Sequence, residues 1–127
     1  MSEWGRNKWL WLSLTWFVAA IYALFFKQGG GAAPFAHFDK VAHFGLFFGQ
    51  FWLLSKIFLH RQQTPPWRWL LLAALVWAGL SEYLQATLTP DRHGDVFDTI
   101  ADVLGAACAL WLAVRVAQTS PQIKETA

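Results

Sequence analysis

Residues 67–116 read WRWLLLAALVWAGLSEYLQATLTPDRHGDVFDTIADVLGAACALWLAVRV. Two apolar stretches, 67–88 and 96–116, lie on either side of a short polar loop that contains Pro90 and Gly94. Each stretch has about the 20 residues that an α-helix needs to cross a hydrocarbon layer roughly 30 Å thick. Because the loop is short, we expect the two helices to be antiparallel neighbours that form a helical hairpin.

Two further apolar stretches precede this hairpin, at about 9–26 and 41–59. Pro65 and Pro66 separate the second stretch from the third, since proline lacks a backbone donor but is tolerated in a first helical turn. The chain is 56% hydrophobic and only 14% charged, which is far from the composition of an ordinary soluble domain. We therefore predict an all-α fold, a four-transmembrane-helix bundle that forms a single transmembrane domain over residues 1–117.

Basic residues are distributed unevenly between the two ends of the predicted spans. Because cytoplasmic loops are rich in Lys and Arg, the distribution predicts an N-in/C-in orientation. The polar residues 118–127 are expected to form a disordered cytoplasmic tail. The first stretch, 9–26, is longer than the apolar part of a usual signal peptide, and we expect it to be retained. The predicted inner side holds Arg6, Lys8, Lys56, Arg61, Arg68, Arg115 and Lys124, and the outer side holds Lys27, Lys40 and Arg92.

Several classes of function are disfavoured by the composition. The formal net charge is +2, and no basic stripe accompanies it, so nucleic acid is excluded as the main partner. Cys108 is the only cysteine and lies in an apolar run, which favours an inert packing residue. His37, His60 and His93 form no closely spaced pair, so we predict neither a metal site nor a cofactor.

Ionisable residues gather near the predicted outer ends of the spans. Asp39 and His43 share one face of the second span, and Lys40 lies three residues from His43. Charged groups within a span are costly unless they are paired or hydrated, so their positions are informative. We expect this group to face the other helices.

The third and fourth spans carry matching polar residues. Glu82 and Gln85 are three residues apart, and Asp95, Asp98 and Asp102 follow i, i+3, i+7 spacing along one face. Glu82 and Asp102 each lie six residues from the loop end of their span, or about 9 Å along a helix. The hairpin should bring them to the same depth.

Together these residues predict one outward-opening polar pocket, with Arg92 folding over the carboxylates. Five carboxyl groups oppose two cations if His43 is neutral, so the carboxyls share protons, a cation binds, or water enters. The alternative is an ion-pair network that only fixes helix packing. That alternative weighs most for Arg92, Asp95 and Asp39, while an inter-helix hydrogen bond suffices for Gln85. The pocket comprises Asp39, Lys40, His43, Glu82, Gln85, Arg92, Asp95, Asp98 and Asp102.

The order and spacing of these residues resemble the VanZ-like family of bacterial integral membrane proteins. The resemblance spans about residues 37–110. It implies a small multi-pass protein of the bacterial cytoplasmic (inner) membrane, and the name-giving member is associated with resistance to glycopeptide antibiotics. The chain departs from the pattern at Asp102, where many relatives carry Asn, and at Ala109, where Gly is common. The motifs are Asp39-Lys40-x-x-His43, Glu82-x-x-Gln85 and Arg92-x-x-Asp95-x-x-Asp98-x-x-x-Asp102-x-x-Gly105.

Two functions remain open at this point. The leading hypothesis is a cell-envelope protein whose pocket binds a membrane lipid headgroup or an envelope precursor, with Lys40 and Arg92 contacting anionic groups. The second is a membrane enzyme acting on a lipid-linked substrate, with Glu82 or Asp102 as general base and His43 as an acid or metal ligand. Ion passage is disfavoured because the inner halves of the spans lack ionisable residues, apart from Lys and Arg at their ends.

Overall fold

The structure, a computed structural model, describes residues 5–26, 38–88, 96–121 and 123. Within those ranges the chain is helical and contains no strand, and four helices are long and apolar enough to cross a membrane. The predicted all-α fold with four membrane-spanning helices is confirmed. The elements are α1 (Lys8–Ile21), a π-helical segment (Tyr22–Phe26) that continues it, α2 (Phe38–His60), α3 (Trp67–Leu88) and α4 (Val96–Thr119).

The helix boundaries differ from the predicted spans mainly at two ends. α2 begins at Phe38 rather than near residue 41, which places Asp39 and Lys40 in its first turn. α4 continues to Thr119 instead of ending near residue 116. Beyond it, Ile123 is buried against Leu59. The structure describes residues 118–121 and 123 of the predicted tail, while residues 122 and 124–127 lie outside the described residues.

Asn7 joins the start of α1 to the end of α2. Its side-chain oxygen accepts a hydrogen bond from the backbone N–H of Trp9 at 3.0 Å, as an N-cap residue does. Its Nδ2 donates to the carbonyl oxygen of Ile57 at 3.1 Å. This carbonyl belongs to the last turn of α2, where carbonyls lack partners within the helix. One buried side chain thus satisfies groups at the ends of two helices.

The end of α2 is closed by a pair of backbone hydrogen bonds around Gln62. The N–H of Gln63 donates to the carbonyl of Phe58 at 2.9 Å, and that of Gln62 donates to Leu59 at 3.0 Å. This is the Schellman arrangement, which requires a left-handed residue, and Gln62 has a φ of 59°. Pro66 then opens α3 by accepting a hydrogen bond from the N–H of Leu70 at 3.0 Å.

The hydrophobic core forms where α4 packs on α2 and on α3. Buried alanines on α3 and α4 face the rings of Phe47 and Phe51. Small residues let the helix axes approach closely, which is how helices associate in a bilayer where lipid tails are as apolar as leucine. α2 and α3 contact each other very little, so α4 is the helix that holds the bundle together.

The outer surface of the bundle is apolar, as contact with lipid requires. Trp69, Val76 and Trp111 are among the large hydrophobic side chains that are more than half exposed. Near the end of the bundle opposite Lys40, the Lys56 ammonium lies 4.8 Å from the ring centre of Trp9. Basic residues and tryptophans together at a helix end are typical of a membrane interface.

Candidate functional site

A backbone contact between α2 and α4 fixes the position of the site. Gly105 lies directly against Phe44, and a Cβ built at position 105 would overlap the Phe44 carbonyl oxygen. Only glycine permits this approach. Because His43 precedes Phe44 and Asp102 is one turn before Gly105, the contact brings these two side chains together.

His43 lies between two aspartates of α4. Its Nδ1 is 2.7 Å from Oδ1 of Asp102, a hydrogen-bond distance, and its Nε2 is 3.6 Å from Oδ2 of Asp98. The spacing of Asp98 and Asp102 on one helix face therefore matches the two edges of a single imidazole. The two carboxylates hold the ring in one orientation, as carboxylate partners do for functional histidines.

Lys40 continues this chain of contacts toward the end of α2. Its Nζ lies 3.4 Å from Oδ1 of Asp98 and 3.3 Å from Oδ2 of Asp39. The exposed fraction of the side chains falls from 60% at Asp39 and 27% at Lys40 to 12% at Asp98. It falls further to 6% at His43 and 0% at Asp102. The residues form a polar path that is open at the helix end and closed inside the bundle.

Glu82 of α3 reaches the closed end of this path. A carboxylate oxygen of Glu82, a ring nitrogen of His43 and a carboxylate oxygen of Asp102 all lie within 4.8 Å of one another. Three helices therefore supply three ligand-type atoms to one point. We refer to the six residues joined in this way as the polar cluster: Asp39, Lys40, His43, Glu82, Asp98 and Asp102.

The polar cluster carries excess negative charge. Four carboxyl groups and one ammonium give a formal excess of three negative charges when His43 is neutral. Asp102 Oδ2 is buried and has no hydrogen-bond partner among the residues that the structure describes. Buried charge of one sign is costly without a partner, so the cluster is suited to receive a positively charged or hydrogen-bonding group.

Gln85 is directed toward a different element. Its Nε2 donates to the carbonyl oxygen of Leu24, in the π-helical segment, at 2.8 Å. This hydrogen bond ties α3 to the end of the first span and is the inter-helix role considered as the alternative for Gln85. Arg92 and Asp95, together with His37 and His93, lie outside the described residues. His60 is exposed at the far end of α2.

The sequence reasoning missed a second buried polar contact deeper in the bundle. Gln50 of α2 donates from Nε2 to the hydroxyl oxygen of Ser13 in α1 at 2.7 Å. Both residues are isolated polar positions within apolar runs, and that was the only signal available in the sequence. The contact positions α1 against α2 and does not join the polar cluster.

Small residues also divide into two groups in the structure. A Cβ at Gly49 would overlap the Trp16 ring, as one at Gly105 would overlap Phe44. Gly45 and Gly79 have nothing within 4 Å of an added Cβ. Those two glycines face away from neighbouring helices, so close packing does not explain them.

The model of one protein family, described as VanZ/LLP1, matches residues 4–117. No curated protein and no solved structure matches the chain. The matched range includes α1 to α3, all of α4 except its last two residues, and every residue of the polar cluster.

Proposed function

The chain belongs to the VanZ/LLP1 family of membrane proteins, and from this premise we propose that its polar cluster binds the polar headgroup of a membrane lipid or envelope precursor. The site lies, in this proposal, at the outer face of the bacterial cytoplasmic membrane. The observation that carries the proposal is the fall in exposure from Asp39 to Asp102 along one continuous set of polar contacts. A lipid can place its polar headgroup in such a path while its acyl tails remain in the bilayer.

The charges of the cluster indicate which headgroups suit it. Lys40 lies between Asp39 and Asp98, where its partly exposed ammonium can contact a phosphate. The carboxylates around it favour an amine or hydroxyl group on the same ligand. A headgroup that combines a phosphate with an amine or several hydroxyls therefore fits better than a simple anion.

The outward orientation rests on the distribution of basic residues. Lys56 at the end of α2, Arg68 at the start of α3 and Arg115 near the end of α4 all lie at the end opposite Lys40. The tendency of cytoplasmic loops to carry Lys and Arg supports placing that end inside. The polar cluster then lies at the level of the outer headgroups.

Binding is tested with the full chain in detergent micelles, titrated with phosphatidylethanolamine and, separately, with phosphatidic acid, whose headgroup is a phosphate alone. We expect saturable binding of the first that weakens about 10- to 100-fold in Lys40→Ala and Asp98→Asn, since hydrogen bonds to charged groups contribute about that much. Arg68→Ala, at the other end of the bundle, is the matched control and should bind as wild type does. Equal binding by all four proteins would overturn the proposal.

We also propose that the protein contributes to glycopeptide tolerance, as the family resemblance suggests. A deletion strain complemented with wild type or with Lys40→Ala tests this in the cell. The expected result is increased glycopeptide susceptibility that wild type restores and Lys40→Ala does not. Unchanged susceptibility in the deletion strain would overturn this part of the proposal. Headgroup binding would then be tested by the titration alone.

An enzyme acting on a lipid-linked substrate is the second candidate, and the His43–Asp102 pair favours it. An imidazole held at 2.7 Å by a fully buried carboxylate is suited to general acid–base chemistry. Asp102→Asn should then lower turnover about 100-fold or more while leaving headgroup binding in place. Lipid profiles of the deletion strain would identify an accumulated substrate, and an unchanged profile with no turnover of added lipid counts against catalysis.

A further inference from the structure

The closed end of the polar cluster has the composition of a metal site. His43, Glu82 and Asp102 come from α2, α3 and α4, and each offers one ligand atom within 4.8 Å of the others. These residues are far apart in the sequence and include no closely spaced His pair, so no sequence motif indicated the arrangement. We propose that these three side chains bind one divalent metal ion of the Zn²⁺ or Mn²⁺ type.

The three ligand atoms must move closer together for an ion to be held. Zinc binds imidazole nitrogen at about 2.0–2.1 Å and carboxylate oxygen at about 2.0–2.2 Å, so two ligand atoms of a tetrahedral site are about 3.4 Å apart. The three ligand atoms lie within 4.8 Å of one another. The widest pair would therefore close by at most about 1.4 Å, which side-chain rotation can supply. The backbone contact between Gly105 and Phe44 keeps α2 and α4 at this spacing.

A separate observation points to a ligand at this position. Asp102 is fully buried, and its Oδ2 has no hydrogen-bond partner among the described residues. A carboxylate enclosed in this way is costly unless a cation or donor meets it. A divalent ion would also offset most of the excess of three negative charges in the polar cluster.

The orientation of His43 assigns a role to Asp98. In this proposal Nδ1, the ring nitrogen 2.7 Å from Asp102, binds the metal in place of a proton, and Nε2 carries the proton that faces Asp98 at 3.6 Å. Histidine ligands commonly donate their second N–H to a carboxylate, which orients the ring. Asp98 is thus a positioning residue.

Three protein ligands leave coordination positions open on the metal. Zinc sites of this kind keep a water or a substrate oxygen in the open position. A phosphate oxygen of a headgroup that enters past Lys40 would occupy such a position. The contact between the ion and a headgroup phosphate rests on the proposed function, whereas binding of the ion itself does not.

The test uses the full chain in detergent, stripped with a chelator and free of added lipid, then titrated with Zn²⁺ or Mn²⁺. We expect one metal ion per chain by elemental analysis after desalting. Glu82→Gln and Asp102→Asn should lose the ion, and Asp98→Asn should retain it with affinity lowered about 10- to 100-fold. The control His60→Ala, which changes an exposed histidine at the far end of α2, should bind as wild type does.

A spectroscopic measurement on wild type avoids dependence on variants that fail to fold. Bound Mn²⁺ should show nitrogen coupling from one imidazole in pulsed electron paramagnetic resonance. Wild type without a bound ion, an ion retained by both Glu82→Gln and Asp102→Asn, or bound Mn²⁺ without nitrogen coupling would each overturn the inference. Headgroup titration of chelator-treated protein then separates the two ideas: binding that persists without metal leaves the proposed function standing when the metal site fails.

Discussion

Gly105 of α4 and Phe44 of α2 meet through their backbones, next to the residues that form the His43–Asp102 pair. The pairing of the two helices and the geometry of the polar cluster therefore depend on the same contact. A side chain at position 105 would separate the helices at the point where the site is built.

Gly105→Ala should therefore destabilise the bundle and disrupt the site together. The added methyl group overlaps the Phe44 carbonyl, and overpacking of this kind costs about 1–3 kcal/mol. Thermal unfolding in micelles, followed by tryptophan fluorescence, measures the loss. Gly79→Ala is the matched control on α3, where an added Cβ has nothing within 4 Å. Similar unfolding temperatures for the two variants would contradict the packing argument.

His43→Ala should destabilise the protein more than Asp102→Asn does. Removal of the imidazole leaves the Asp102 carboxylate buried without its 2.7 Å partner, which costs about 3–5 kcal/mol for a buried pair. Asparagine at position 102 removes the charge and still offers an oxygen to the ring. The free energy of unfolding of both variants, measured in the same detergent, shows which loss is larger. A larger loss in Asp102→Asn would show that the His43–Asp102 pair is not what stabilises this region.

Substitutions of Asn7 should distinguish how much each of its two hydrogen bonds contributes to stability. Asn7→Ala removes both, and loss of an N-cap alone costs about 0.5–2 kcal/mol. Asn7→Asp keeps the oxygen that caps α1 but removes the donor to Ile57, so we expect a smaller loss than for alanine. Unfolding measurements on the three proteins test this order. If aspartate proved as harmful as alanine, the bond to Ile57 would be the more important of the two.

Gln62→Gly should stabilise the chain. Gln62 holds a left-handed conformation at the end of α2, with φ of 59°, which is unfavourable by about 1 kcal/mol for a residue with a Cβ. Glycine removes this strain without disturbing the backbone hydrogen bonds of the turn. A rise in unfolding temperature is expected, and Gln63→Gly, one residue later, should not produce it.

The four helices could be predicted because a span must have a minimum apolar length, and prolines mark its ends. The convergence of Glu82 and Asp102 could be expected from their equal depth on the two arms of a hairpin. That His43 fits between Asp98 and Asp102 could not, because it depends on which face of α2 meets α4. The same uncertainty in helix rotation concealed the difference between Gly105, which is in contact, and Gly79, which is not.

Contacts formed by isolated polar residues were the least predictable part of the structure. Asn7 and Gln50 have no partner nearby in the sequence, and their hydrogen bonds join positions 50 and 37 residues apart. Gln85 was placed with the acidic residues because it lies one turn from Glu82. Its amide instead meets the Leu24 carbonyl in a π-helical segment that no sequence pattern indicated.

The meeting of main chains at Gly105 and Phe44 also determines how molecules reach the interior. Main-chain atoms cannot rotate aside as a long side chain can, so the seam between α2 and α4 is shut to acyl chains of the surrounding bilayer. Among the described residues, the route to Asp102 that is lined by polar side chains runs along the helix axes, past Asp39 and Lys40. Water-soluble compounds added from that side are therefore better suited to block the route than lipophilic compounds that first dissolve in the membrane.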